Sequence, residues 1–204
     1  MAMGIAKGEK VAVWATNLPE WLLSKFAIAK AGAVMVTVNI NYHPPEVEYI
    51  LTQSNTSTLI LMDGFRDLDY INTIRQLAPE LESSTPGDLN SGKLPDLKNV
   101  IFVGDHVPDG MFNFNQLYEM ADQVSDEELA GREAEIDSHD PVQIQYTSGT
   151  TGFPKGATLS HRNLVNNALS LAERSLLRPG SRYLSGLPLF HTGGSTSHAP
   201  GGLS

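Results

Sequence analysis

Residues 10–62 read KVAVWATNLPEWLLSKFAIAKAGAVMVTVNINYHPPEVEYILTQSNTSTLILM. Lys10–Thr16 is a valine-rich run with strand character, and Asn17-Leu18-Pro19 breaks it and prepares a helix start. From Glu20 to Ala31, apolar Trp21, Leu22, Phe26, Ala27 and Ala31 recur at helical spacing, and Gly32 supplies a stop. Ala33–Asn39 reads as a buried strand, Pro45–Gln53 as a short helix opened by proline, and Thr58–Met62 as another strand. A helix carrying Leu68, Ile71, Ile74 and Leu77 on one face is predicted next. This alternation predicts an α/β fold, a largely parallel sheet covered by helices on both faces. Trp14, Trp21 and Phe26, in the first strand and helix, are predicted core residues.

Outward from this block, residues 79–96 have no apolar period and predict an exposed connection. Asn99–Val103 resumes the strand pattern, so no domain boundary is placed there, and no internal repeat is visible. Ser125-Asp126-Glu127-Glu128 fits a capping box, and the acidic stretch to Asp137 reads as a solvated helix face. The 204-residue chain is 41% apolar with a net charge of −9. That composition is globular, and the charge argues against a nucleic-acid partner, whose phosphates require clustered Lys and Arg. The absence of cysteine excludes disulfides, thiolate catalysis and Cys-ligated zinc. No window has the apolar run of a signal peptide or a transmembrane segment, so a soluble protein is expected. His43, His106, His161 and His198 lack metal-site spacing.

Val142–Tyr146 alternates apolar and polar like a strand and runs into Thr147-Ser148-Gly149-Thr150-Thr151-Gly152-Phe153-Pro154-Lys155-Gly156. Ser160 is placed to cap a following helix that carries Leu164, Val165, Ala168, Leu169 and Ala172. The segment therefore reads as a Gly- and hydroxyl-rich loop between a strand and a helix. Glycines let successive N–H groups converge on one anion, hydroxyls donate to its oxygens, and Lys155 adds positive charge. A glycine-rich surface turn is the competing reading. Four hydroxyls, two interior glycines and a terminal Pro-Lys-Gly favour phosphate. The spacing is not that of a Walker A loop: two residues separate Gly149 from Gly152, and Gly156 follows Lys155.

Tyr146–Gly156 (YTSGTTGFPKG) resembles the signature loop of the adenylate-forming superfamily, which includes acyl-CoA synthetases, luciferases and peptide-synthetase adenylation domains. The resemblance continues through Gly8–Val13, Ala29–Val34, Asn39–Leu51, Gly156–His161 and Leu187–His191. His139-Asp140-Pro141 and the connection from Pro86-Gly87 to Leu97 are most similar to medium-chain fatty acyl-CoA synthetases. The resemblance implies that the chain is part of the large N-terminal AMP-binding domain of such an enzyme. The implied reaction activates a fatty acid with Mg2+-ATP to an acyl-adenylate, which coenzyme A opens to a thioester. It implies that Thr147, Ser148, Gly149, Thr150, Thr151, Gly152 and Lys155 contact ATP. Lys155 and Thr147 are the catalytic candidates, and Thr147 is also the magnesium-side hydroxyl. His191 and Gly193 fall in the segment that lines the substrate pocket, with His191 not assigned as a general base.

The pattern departs from the family after Gly194, where an apolar helix is expected and Ser195–Ser204 reads instead as an irregular tail. Segments for adenine, ribose, a second magnesium-binding acid and the C-terminal domain with its adenylation lysine have no counterpart in residues 1–204. The expectation is an incomplete domain with little or no synthetase activity of its own, exposed apolar surface and marginal stability. A cytoplasmic location is expected, or the mitochondrial matrix if a targeting segment precedes the chain. Oligomeric state and acyl chain length are not legible. A noncatalytic product that at most binds nucleotide is the alternative, and a luciferase-like or amino-acid-adenylating enzyme stays open.

Overall fold

In the computed structural model the described residues are 1–147, 153–178, 180–182 and 184–198. The first strand, β1 (Lys10–Trp14), sits centrally and is buried along nearly its whole length. That explains its unbroken apolar sequence: a strand covered on both faces has no side free for polar residues. Ala12 and Trp14 point into one apolar layer, and Val11, Val13 and Ala15 into the other.

Helix α1 (Pro19–Lys30) leads to β2 (Val34–Thr37), parallel to β1 with Val11 opposite Met35. Gly32 takes φ +72°, and the Ala33 N–H returns to the Ile28 carbonyl at 3.0 Å, which closes the helix. Helix α2 (Pro44–Gln53) crosses to β3 (Thr56–Leu61) on the other side of β1. A small hairpin of β4 (Gly64–Phe65) and β5 (Leu68–Asp69) precedes α3 (Tyr70–Leu77). Strands β6 (Asn99–Phe102) and β7 (Phe112–Asn113) extend the sheet outward from β3. After the short α4 (Gln116–Glu119) and α5 (Asp126–Ala134), β8 (Pro141–Thr147) lies parallel to β2, and β9 (Lys155–Ser160) pairs antiparallel with β8. Helix α6 (His161–Arg174) follows. Among the described residues the main sheet has the order β7-β6-β3-β1-β2-β8-β9, the mixed α/β architecture predicted from residues 10–62.

One layer packs Trp14, Val47, Ile50, Tyr70, Ile74 and Phe102 under α2 and α3. Trp14 stacks on Tyr70 at 3.8 Å and donates its indole N–H to the Asn39 carbonyl at 3.2 Å. The opposite layer, under α1, is smaller and includes Trp21, Ile28, Met35 and Leu189.

Several expectations need correction. Helix α1 buries Trp21, Ser24, Lys25 and Ile28, a stripe rotated from the predicted one, so Trp14 and Trp21 are core but Phe26 is 40% exposed. Leu68 belongs to β5, and Asp69 behind it caps α3 by accepting from Asn72 N–H at 2.8 Å. The connection 79–96 is not simply exposed: a 3₁₀ turn at Pro79–Ser83 buries Leu81, and Leu89, Ser91 and Leu94 are also buried. Isolated leucines anchor such a segment without any period. In α6 only Leu164 and Ala168 are buried, while Val165 and Leu169 are about half exposed. The Ser125 box forms as read, with Glu128 N–H donating to Ser125 Oγ and Ser125 N–H to the Glu128 carboxylate, and α5 buries no side chain. No described helix is long and apolar enough to cross a membrane.

Candidate functional site

Strand β8 delivers the hydroxyl-rich loop, and the largest correction lies on the far side of that loop. Lys155 opens β9, so the loop closes a β-hairpin and does not run into a helix N-terminus. The register sets Tyr146 opposite Gly156 and Thr147 opposite Lys155. The Thr147 hydroxyl donates to the Lys155 carbonyl at 3.4 Å. A helix dipole at this point is therefore not available to an anion, and the stabilisation the loop can offer comes from N–H groups, hydroxyls and the Lys155 ammonium. Ser148, Gly149, Thr150, Thr151 and Gly152 lie outside the described residues.

Gly156 is dictated by Tyr146. A Cβ there would come within 2.9 Å of the Ile144 side chain and 3.2 Å of the Tyr146 ring. Tyr146 is 8% exposed and donates its hydroxyl to Gln53 Oε1 of α2. Burial pushes its phenol up to about 12, so it stays protonated and anchors β8 to the layer below. Next to the loop, Phe153 stacks on Tyr49 with centroids 4.7 Å apart.

A cleft of about 780 Å³ opens at the carboxyl ends of β2 and β8, lined by Thr37, Asn39, Tyr146 and Thr147 from the strand ends and by Phe190, His191 and Thr192 from the turn that follows α6. Crevices at strand carboxyl ends are where open α/β sheets take their ligands. Among the described residues the Thr37 hydroxyl, in a residue 2% exposed, has no hydrogen-bond partner, an orphan polar atom at the cleft that a ligand group or water would satisfy. Lys155 does not line the cleft; its exposed side chain stands at the hairpin mouth.

His191 is exposed on a tight turn in which its N–H donates to the Pro188 carbonyl at 3.1 Å and its Nδ1 accepts from Gly193 N–H at 3.2 Å. That bond leaves the neutral ring protonated at Nε2. Gly194 is required there, because a Cβ would approach the Pro188 carbonyl oxygen to 2.2 Å. Of the stretch from 195 onward, expected to be irregular, Ser195 and Thr196 are buried in a π-helical turn spanning Gly193–His198. Residues 199–204 lie outside the described residues.

Two contributions to the site escaped the sequence reading. Asn17, read only as a breaker, clamps the His191 segment: its Nδ2 donates to the Leu187 carbonyl at 2.9 Å and its Oδ1 accepts from Leu189 N–H at 2.8 Å. A polar residue straight after a buried strand, at the end where ligands bind, is the signal that could have marked it. Gln143 and Gln145, the polar positions of the alternating strand, are buried at 0% and 5% exposure.

The sequence profile of the AMP-binding enzyme family matches residues 1–201. YngI of Bacillus subtilis, provisionally named an acyl-CoA synthetase, is 44% identical over 94% of this chain and 35% of its own length. The mitochondrial medium-chain acyl-CoA ligase ACSF2 of Macaca fascicularis is 38% identical over 96% of this chain and 32% of its own. Among solved structures, a long-chain-fatty-acid-CoA ligase of Archaeoglobus fulgidus superposes with a TM-score of 0.68 at 28% identity, covering 95% of this chain and 33% of that one. The chain thus spans about a third of the length of the curated relatives it matches.

Proposed function

Because this chain belongs to the AMP-binding enzyme family, we propose that it forms the phosphate-binding part of a ligase that activates a fatty acid with ATP and passes the acyl group to coenzyme A. The observation that carries this reading is the shared cleft: Thr147, at the start of the loop, and His191, in the expected substrate segment, both line one cavity. Residues 1–204 are proposed as an incomplete AMP-binding domain with the loop at 146–156.

In the proposed reaction a carboxylate oxygen attacks the α-phosphorus of ATP, the bond to the bridging oxygen breaks, and pyrophosphate leaves. The thiol of coenzyme A then displaces AMP from the acyl carbon. Charge builds on the leaving pyrophosphate, and the task of Thr147, Ser148, Gly149, Thr150, Thr151 and Gly152 is to meet it with hydroxyl and N–H donors. Lys155 sits on a flexible stem that lets its ammonium swing toward a polyphosphate at the hairpin mouth. Among the described residues no three His, Asp or Glu side chains cluster as a cation cage. A magnesium ion bound with the nucleotide would find the Thr147 hydroxyl as the protein's share. His191 and Gly193 would border the carboxylate. ATP and coenzyme A are water-soluble, which supports an aqueous compartment, the cytoplasm or the mitochondrial matrix.

Titration of the 204-residue chain with a fluorescent Mg2+-ATP analogue tests the reading. Lys155→Ala is expected to weaken binding by about tenfold or more, the scale of one charge-assisted contact, without moving the unfolding midpoint. Absence of binding, or equal binding by the variant, sinks the proposal.

A further inference from the structure

Behind the cleft, four polar side chains are buried together in an otherwise apolar layer: Lys25 at 5% exposure, Gln143 at 0%, Gln145 at 5% and Ser195 at 0%. They form one chain of hydrogen bonds. Lys25 Nζ donates to Gln143 Oε1 at 2.9 Å. Gln143 Nε2 donates to Gln145 Oε1 at 3.0 Å and to Ser195 Oγ at 3.1 Å. Gln145 Nε2 then donates to the Phe190 carbonyl at 2.9 Å, and Ser195 Oγ reaches the His191 carbonyl at 3.1 Å.

The network therefore starts on α1 and ends on both walls of the cleft. Gln143 and Gln145 belong to the strand that ends at Thr147, and the two carbonyls belong to the turn that carries His191. An ammonium in such a layer is costly unless its bonds fix something that an apolar side chain would leave loose. A methionine of similar length would fill the same space without that cost. What the lysine adds is direction: its donated bond commits Gln143 Oε1, which turns the Gln143 amide N–H groups toward Gln145 and Ser195 and sets the Gln145 amide against Phe190.

We propose that Lys25 is a positioning residue that locks the loop-bearing strand and the His191 turn at a fixed separation, so that the two walls of the cleft move as one body. The role of that separation in nucleotide binding rests on the function proposed above; the mechanical coupling does not.

Hydrogen-exchange mass spectrometry of the whole 204-residue chain separates the two. Lys25→Met is expected to raise exchange about tenfold both in peptides covering residues 143–147 and in those covering 189–196, with β1 and α2 unchanged. Lys25→Gln, which can still donate to Gln143, is expected to recover most of the protection. Lys30→Met, a surface change on the same helix at a residue paired with Glu133, is expected to alter neither segment. Should Lys25→Met not fold, Gln145→Met removes the bonds to Phe190, Gln143 and Ser195 at the centre of the network and is expected to raise exchange in both 143–147 and 189–196 with β1 unchanged. Exchange that rises only in α1, rises uniformly including β1, or rises in one wall without the other overturns the coupling. In the nucleotide titration Lys25→Met is expected to bind about tenfold more weakly. A wild-type chain that binds no Mg2+-ATP defeats the functional reading and leaves the exchange result to decide the coupling by itself.

Discussion

The two faces of the sheet are built on different terms. Under α2 and α3 the layer is mainly apolar, from Trp14 and Tyr70 to Leu51 and Phe102, its largest side chains are sealed from solvent, and buried Ser54 and Thr73 close on carbonyls of their own helical turns. Under α1 and α6 the layer is thinner. It encloses Lys25, Gln143, Gln145 and Ser195, and it leaves Leu23, Phe26, Val165 and Leu169 about half exposed. The first face stabilises the fold by burial, while the second gives up apolar contact to hold two loops in register at the cleft. Packing with no directional bonds is indifferent to small sliding, whereas hydrogen bonds between named atoms are not. The network of directional bonds is the one that reaches the cleft, through Phe190 and His191.

The sharpest way to break this contrast is to truncate one large ring on each face. Trp14→Ala removes a fully buried ring, its stack on Tyr70 and its bond to the Asn39 carbonyl. The expected cost is about 3–5 kcal/mol in urea unfolding. Phe26→Ala, on the second face, is expected to cost no more than about 0.5 kcal/mol. Comparable losses at both positions would mean that the faces do not divide the work.

A pH series sharpens the comparison, because only the second face holds a charge of this kind in the interior. Burial lowers Lys25 from its ordinary 10.5 to about 8. Below about pH 8 the folded protein carries a poorly solvated ammonium and pays for it in full. Between pH 8 and 10.5 the unfolded chain binds the extra proton, so stability rises with pH across that window. Relative to Lys25→Met, wild-type stability is expected to climb by up to about 3 kcal/mol over this range. Gln143, which accepts its hydrogen bond, has no charge, and His161, which borders the same groove, is lowered by burial against the opposing pull of Asp140. Neither titrates in the window. A flat difference between the two proteins from pH 8 to 10.5 would show that Lys25 is not held as a buried ammonium.

The same contrast explains what could be read in advance. Strands β1, β2 and β3 announce themselves because burial on both sides leaves apolar runs such as VAVW, VMV and LIL. The loop was legible because its chemistry lies in residue types at fixed spacing, and its start at Thr147 borders the cleft that His191 also lines. Strand β9 was not legible. Its six residues, KGATLS, include only Ala157 and Leu159 as apolar side chains, most of the strand is exposed, and it is held by its ladder to β8, which leaves no mark on the side chains. The burial of Lys25, Gln143 and Gln145 was not legible for a related reason: a one-dimensional pattern does not show polar residues that satisfy one another, and only the third dimension does. The buried leucines of 79–96 failed differently, since single anchors in an irregular segment generate no period.

The smallest effect expected on the second face concerns how its outer helix is fastened. Helix α6 buries only Leu164 and Ala168, so packing holds it weakly and its first turn matters more than usual. Ser160 Oγ accepts from Asn163 N–H at 3.3 Å, and the Asn163 side chain accepts from Ser160 N–H at 2.9 Å. Each bond satisfies a donor that the helix geometry orphans. Ser160→Ala removes one of them and is expected to cost about 1 kcal/mol in urea unfolding. Ser125→Ala makes the matching change on α5, which buries no side chain and packs no layer. If the second face is held by directional bonds, the Ser160 variant should also speed hydrogen exchange in residues 195–196, because Asn167 of α6 donates to the Thr196 carbonyl at 3.4 Å. The Ser125 variant should leave that turn untouched. Equal effects of the two variants on the turn would mean that α6 does not brace it, and the polar network behind the cleft would then have to hold the His191 segment without help from the helix above.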